Sequence, residues 1–178
     1  MPKPTDTRAR IQAAARDLFA RKGVQRTSLQ EIADELGITK PALYYHFGSR
    51  EDLVRSIVQP MLDAGEAFVA AQEARGDVDP RELLEGYFDF HYQHRAEIVW
   101  VLTEWTTLVE LGLFDTVLAW RARLAVLLFG PESTLAEETR AVVALGGLQD
   151  CTIQFPDVPA AELRAASVAA ACAALGVD

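Results

Sequence analysis

Three residues, Gly37-Ile38-Thr39, constrain this chain more than any other stretch of it. Upstream, Ser28-Leu29-Gln30-Glu31 forms a capping box, in which hydroxyl and carboxylate satisfy amides that a helix start leaves unpaired. Leu29, Ile32, Ala33 and Leu36 follow on one face, and Gly37 can end that helix. Downstream, Lys40 to His46 reads as another short helix, with Pro41 early enough to lose no needed hydrogen bond. Leu43 and Phe47 lie four apart and share its buried face. Two short helices must therefore meet across a three-residue turn, the geometry of a helix-turn-helix spanning about residues 28–47.

A first helix from Ala9 to Lys22 supplies the third wall of that small core. Its Ile11, Ala14, Ala15, Leu18 and Phe19 fall at i, i+3, i+4, i+7 and i+8, and Gly23 can close it. Ser49-Arg50-Glu51-Asp52 then offers a cap for a long fourth helix, which Pro60 should kink. Asp79 and Pro80 start the next, and helical periodicity continues over roughly 80–94, 96–111, 114–129, 134–154 and 159–175. No alternating strand or internal repeat interrupts it. The expected fold is all-α, about nine helices: a three-helix head over 1–55 and a larger helical body over 56–178.

Composition bounds what such a chain can do. The formal net charge of −9 argues at first against a polyanionic partner. Residues 1–55, however, carry ten Lys and Arg against seven Asp and Glu, a net of +3, while residues 56–178 carry seven against nineteen, a net of −12. A cationic head on an anionic body is a pattern associated with nucleic-acid contact. The acidic body does not oppose that contact if it lies beyond a Debye length, about 8 Å, from the phosphates. The longest apolar runs are too short to cross a bilayer, and "MPKPTDTRAR" lacks a secretory core, so no membrane association and a cytoplasmic location are expected. Cys151 and Cys172 are too few for a disulfide framework or a zinc site and read as reduced thiols.

A helix entering the major groove needs small or polar residues facing the bases and phosphate-holding groups at its flanks. The third helix provides both. Ala42 permits close approach, Thr39 and Lys40 stand at an N-terminus whose amides attract phosphate, and Tyr44, Tyr45 and His46 carry hydroxyls and ring edges. The competing reading makes Tyr44 and Tyr45 half-buried packing residues and His46 a helix cap.

The segment "RIQAAARDLFARKGVQRTSLQEIADELGITKPALYYHFGSREDL" closely resembles the N-terminal DNA-binding domain of TetR-family transcriptional regulators. It follows that family's AA-x-x-LF helix, TS start, IA, LG[IV], ALYYHF and [KR]-E-x-L cap; beyond Leu53 the resemblance is one of length and helical architecture. It implies a homodimer that binds a palindromic operator, usually as a repressor, and is released when a small-molecule inducer occupies the body. Carried onto matching positions, Ser28 and Gln30 would touch backbone and a base edge, and Thr39, Lys40, Pro41 and Ala42 would enter the groove. Tyr44, Tyr45 and His46 would bind phosphates or bases. Arg50 would hold a phosphate where many relatives carry lysine.

In the body, "EIVWVLTEWTTLVELGLF" is apolar on more than one face and should be surrounded. Phe68, Tyr87, Phe90, His91, Trp100, Glu104, Trp105 and Trp120 could wall a ligand cavity; the plainer alternative is an ordinary aromatic core. His91 and His94, three apart, read as capping or solvent-facing histidines rather than metal ligands, so neither metal nor cofactor is expected. The last two helices are rich in Ala, Gly and Ser, and the family dimerises through its last two helices. Intramolecular packing is not expected to absorb Leu145, Leu148, Val168 and Leu175, which are assigned to the dimer face. Twofold pairing would set the reading helices one DNA turn, about 34 Å, apart. No nucleophile, base and orienter stand at catalytic spacing, so no catalytic residue is assigned. A ligand carrier or enzyme with a vestigial head, and an activator on the same scaffold, are the alternatives.

Overall fold

The computed structural model describes residues 4–103, 109 and 112–177. Within these the chain is helical: α1 (Pro4–Lys22), α2 (Leu29–Leu36), α3 (Lys40–His46), α4 (Arg50–Arg75), α5 (Pro80–Gln93), α6 (Arg95–Thr103), α7 (Leu113–Phe129), α8 (Leu135–Gln154) and α9 (Ala160–Leu175). The local signals explain most boundaries. The Ser28–Glu31 box closes in both directions, and Thr134 and Glu137 form a second one at the start of α8. Thr39 accepts from the Ala42 amide, Asp79 from that of Glu82, and Ser49 Oγ from that of Asp52 at 3.0 Å. Gly37 ends α2 in the left-handed region, φ 63°, which a β-carbon disfavours.

α1 begins at Pro4, five residues before the expected Ala9. The added turn, Pro4 to Arg8, is polar in sequence and carries no apolar periodicity. α4 runs as one helix through Pro60.

The chain forms two compact units. The first runs to Pro60 and takes in Trp100 and the described residues that follow it before Gly112; the second holds Met61–Val99 and the described chain from Gly112 onward. The first unit thus passes the boundary drawn at residue 55, because Ile57 on α4 belongs to the same core as Ile11, Phe19, Ile32, Leu43 and Phe47. Trp100 packs against that core and stacks on Phe19, ring centroids 5.8 Å apart.

In the second unit α8 and α9 lie against each other, and α5 meets both. Leu145, Leu148, Val168 and Leu175 all face this interior, each 3% exposed or less. The protomer's own packing absorbs them, contrary to the expectation that they would be left over. Burial of each such side chain contributes about 1.5–3 kcal/mol, which turning outward would forfeit.

Candidate nucleic-acid interface and body site

α3 is anchored from one side only. Leu43 is wholly buried and Phe47 nearly so, while Thr39, Lys40, Pro41 and Ala42 are exposed, Tyr44 is 45% exposed and Tyr45 84%. Tyr45 is therefore not a packing residue, while Tyr44 is half-buried. Lys40 Nζ stands 5.8 Å from the Tyr44 ring centroid, and Tyr45 meets the half-buried His46 edge-on. The C-terminal end of the helix is held by Arg8 of α1, which donates to the His46 carbonyl at 3.0 Å and lies 4.3 Å above the Phe47 ring. Sequence reading counted Arg8 only as charge, since nothing local ties it to a residue 38 positions away.

Ser28, Gln30, Lys40, Tyr44 and Arg50 line one open groove of about 360 Å³, formed by the first turns of α2 and α4 and the side of α3. First-turn amides have no partner within their own helix and favour anions, so two helix starts on one groove can hold a phosphate. Thr39, Pro41, Ala42, Tyr45 and His46 lie outside that groove. Arg50 is already engaged: its guanidinium reaches the carbonyls of Val24 and Gln25 at 3.4 and 3.2 Å and Gln25 Oε1 at 2.9 Å. It therefore fixes the α1–α2 loop and presents what remains of its fork. Glu51 also lines this groove, 3.5 Å from the Arg50 guanidinium, while at the start of α2 Glu31 stays ionised with its charge paired. Lys22, 2.7 Å away, and the Ser28 amide and hydroxyl hold it, lowering its pKa to about 2.

Pro60 has no N–H, so the carbonyl four residues earlier, that of Ser56, lacks its helical donor. Gln12 of α1 supplies one: its Nε2 donates to Ser56 O at 3.1 Å and to Ser56 Oγ at 3.0 Å. The signal for this contact was legible, because a proline inside a helical pattern names the carbonyl it orphans.

In the body, five of the expected pocket residues gather. Phe68, Tyr87, Phe90, His91 and Trp120 form one aromatic cluster, with centroid separations from 4.1 Å for Tyr87–His91 to 6.4 Å for Phe90–Trp120. Two glycines admit the larger rings: a β-carbon on Gly65 would stand 2.4 Å from the Trp120 ring, and one on Gly86 2.8 Å from that of Phe68. Trp100 is not among them, being stacked in the head unit, and Glu104 and Trp105 lie outside the described residues. Burial holds the His91 pKa down to about 4, so the ring is neutral, with Nδ1–H donating to the Tyr87 carbonyl at 2.9 Å. Burial also raises the Tyr87 pKa, against the pull of the Arg121 guanidinium. Arg121 donates to Gln149 Oε1 at 2.6 Å, and Gln149 faces His91 in turn.

Comparison with known proteins agrees with the head geometry. A family model described as bacterial regulatory proteins, tetR family, matches residues 11–57. The chain is 36% identical over 88 residues to the HTH-type transcriptional regulator TtgR of Pseudomonas putida, covering 47% of this chain and 42% of that protein. It is 32% identical over 120 residues to the HTH-type transcriptional repressor KstR2 of Mycolicibacterium smegmatis, covering 65% and 58% respectively. The chain thus spans about half the length of these relatives. A solved TetR-like transcriptional regulator from Rhodococcus sp. RHA1 superposes with a TM-score of 0.71 over the whole of both chains at 24% identity, a likeness of fold.

Proposed function

We propose that the chain is a TetR-family, sequence-specific DNA-binding regulator of transcription. It works in the cytoplasm as a homodimer on a palindromic operator, most simply as a repressor, and a small molecule held in the body releases it. One observation carries this reading: α3 presents Thr39 to Ala42 and Tyr44 to Tyr45 to solvent while Leu43 and Phe47 hold its other side in the core. A seven-residue helix braced in that way, with an open groove of about 360 Å³ beside it, is shaped for a DNA major groove. Lys40, Tyr44 and the first turns of α2 and α4 position the backbone; Thr39, Pro41 and Ala42 approach the bases.

The dimer face lies on the outward side of α8 and α9, not on their leucines. Val142 and Val143 are exposed, and a β-carbon on Gly147 would meet open space, which suits close approach of a symmetry-related helix. Release operates through α4. Its head half is tied to α1 by Gln12 at Ser56, its body half receives Trp120 against Gly65, and Pro60 lies between the two attachments. A coupling of about 1–3 kcal/mol between ligand and operator suffices for a 5- to 150-fold loss of affinity.

Selection of bound sequences from random duplex DNA with the purified protein tests the reading. An inverted repeat is expected, with affinity falling steeply as salt rises because phosphate contacts release counterions. Lys40→Ala and Tyr44→Ala should weaken binding at unchanged thermal stability. Absence of any enriched sequence would leave the head a vestige.

A further inference from the structure

The arginines of the body are not treated alike. Residues 56–178 hold seven arginines among nineteen carboxylates, and Arg75, Arg123 and Arg164 each close on at least one of them. Arg121, like Arg95 and Arg140, forms no ion pair with any described residue. Its hydrogen-bond partner is neutral, Gln149 Oε1, the Tyr87 hydroxyl lies near enough to feel its charge, and its Nε is buried with no described group to accept its proton. Asp150 is near enough to act on Tyr87, yet makes no ion pair with Arg121. An unmet, buried donor on a charged group is costly, about 1–3 kcal/mol or more. Arg95 shares the missing ion pair and has an unmet donor of its own, yet it lies over the Tyr92 ring; what sets Arg121 apart is its place beside the aromatic cluster and the buried Tyr87, His91 and Gln149.

We infer that the small molecule taken by the body is an organic anion, a carboxylate on an apolar or aromatic frame, and that Arg121 receives its charge. The inference rests on the ligand-release reading above and names the chemistry of that ligand. Every group around the guanidinium fits the assignment. Tyr87, His91 and Gln149 are all more than nine-tenths buried and add donors or dipoles without adding a negative charge. Trp120, the residue before Arg121, belongs to the aromatic cluster with Phe68 and Phe90, which offers the ligand an apolar frame to lie against. A carboxylate meeting the planar fork can take Nε together with a neighbouring N–H, the bidentate geometry that Arg provides and Lys does not.

The test uses the full chain and matched pairs of probes: hexanoate, decanoate and 4-phenylbutyrate, each beside its primary amide. Binding is followed by calorimetry and thermal shift, and operator release is measured in the same samples. At least one acid should bind ten-fold or more tightly than its amide, the discrimination expected when a charge-assisted hydrogen bond of about 1.5–3 kcal/mol is lost. Arg121→Gln should reduce that preference to about two-fold or less. Arg121→Lys, which keeps charge and bulk should the first variant fold poorly, should retain only part of it. Equal binding of acids and amides, preference unchanged in Arg121→Gln, or no acid bound at all, as when only water satisfies Nε, would overturn the inference. Amides that bind and release the operator as well as acids would leave the ligand-release reading standing while this one fell.

Discussion

In the head, Arg8, Arg21 and Arg50 donate to main-chain carbonyls, those of His46, Asp17, and Val24 with Gln25. In the body, Arg123 bridges Glu66 and Glu73, and Arg164 bridges Glu85 and Asp89. A carbonyl fixes a guanidinium in place yet leaves its positive charge largely uncancelled, whereas a carboxylate cancels it. Two head arginines, the exposed Arg21 and the partly buried Arg50, also lie near acids, at 3.7 Å from Glu35 and 3.5 Å from Glu51, looser than the body pairs. The same residue type therefore builds a surface that stays cationic in one region and, with two carboxylates around each of Arg123 and Arg164, an anionic brace in the other. Net charge by sequence segment hints at this contrast, but the hydrogen-bond partners create it.

The contrast is easiest to break through the head's core. Leu43→Ala empties a fully buried site under α3 and should cost about 2–5 kcal/mol in denaturant unfolding, with operator binding lost as the helix loosens. In the body the corresponding weak point is electrostatic. His91 is held neutral with a pKa of about 4 against 6.5 for a free histidine, so it costs nothing above pH 6.5. Below that the unfolded chain takes up the proton first, and stability falls until pH reaches about 4. Between pH 7 and 5 the loss should be about 2 kcal/mol, and His91→Gln should flatten that part of the pH–stability curve.

A smaller effect sharpens the account of the head's attachment to α4. Gln12→Ala should cost about 1 kcal/mol, and the cost should shrink in a Pro60→Ala background, where the Ser56 carbonyl regains its own helical donor. A double-mutant cycle measures this directly; strict additivity would mean that Gln12 does not serve the orphaned carbonyl. Smallest of all, Arg123→Gln should leave the unfolding midpoint almost unmoved, because the ion pairs are exposed enough to be screened by solvent, and should leave operator affinity unaltered.

Legibility in the sequence followed the range of the interactions. Capping residues acting within three or four positions, Ser28, Gly37, Thr39 and Asp79, placed helix ends to within a residue or so. The single buried face of α3 followed from Leu43 and Phe47 alone. The polar first turn of α1 left no periodic trace. The inward turn of Leu145, Leu148, Val168 and Leu175 was misread because periodicity shows that a helix has an apolar face without saying which neighbour covers it. The aromatic cluster was largely anticipated by composition, yet Arg121 and Gln149, which give that cluster its polarity, are linked across 28 positions and carried no local sign.

The exchange between positions 12 and 60 bears on how this sequence can drift. The main chain gives up an amide hydrogen at Pro60 and recovers it from a side-chain amide forty-four positions before Ser56, in another helix. Neither residue type is demanding by itself: a helix tolerates many side chains at 12, and most would restore the backbone bond at 60. Changes at the two sites are therefore accepted more readily as a pair than one at a time, and descendants of this chain should keep both or lose both.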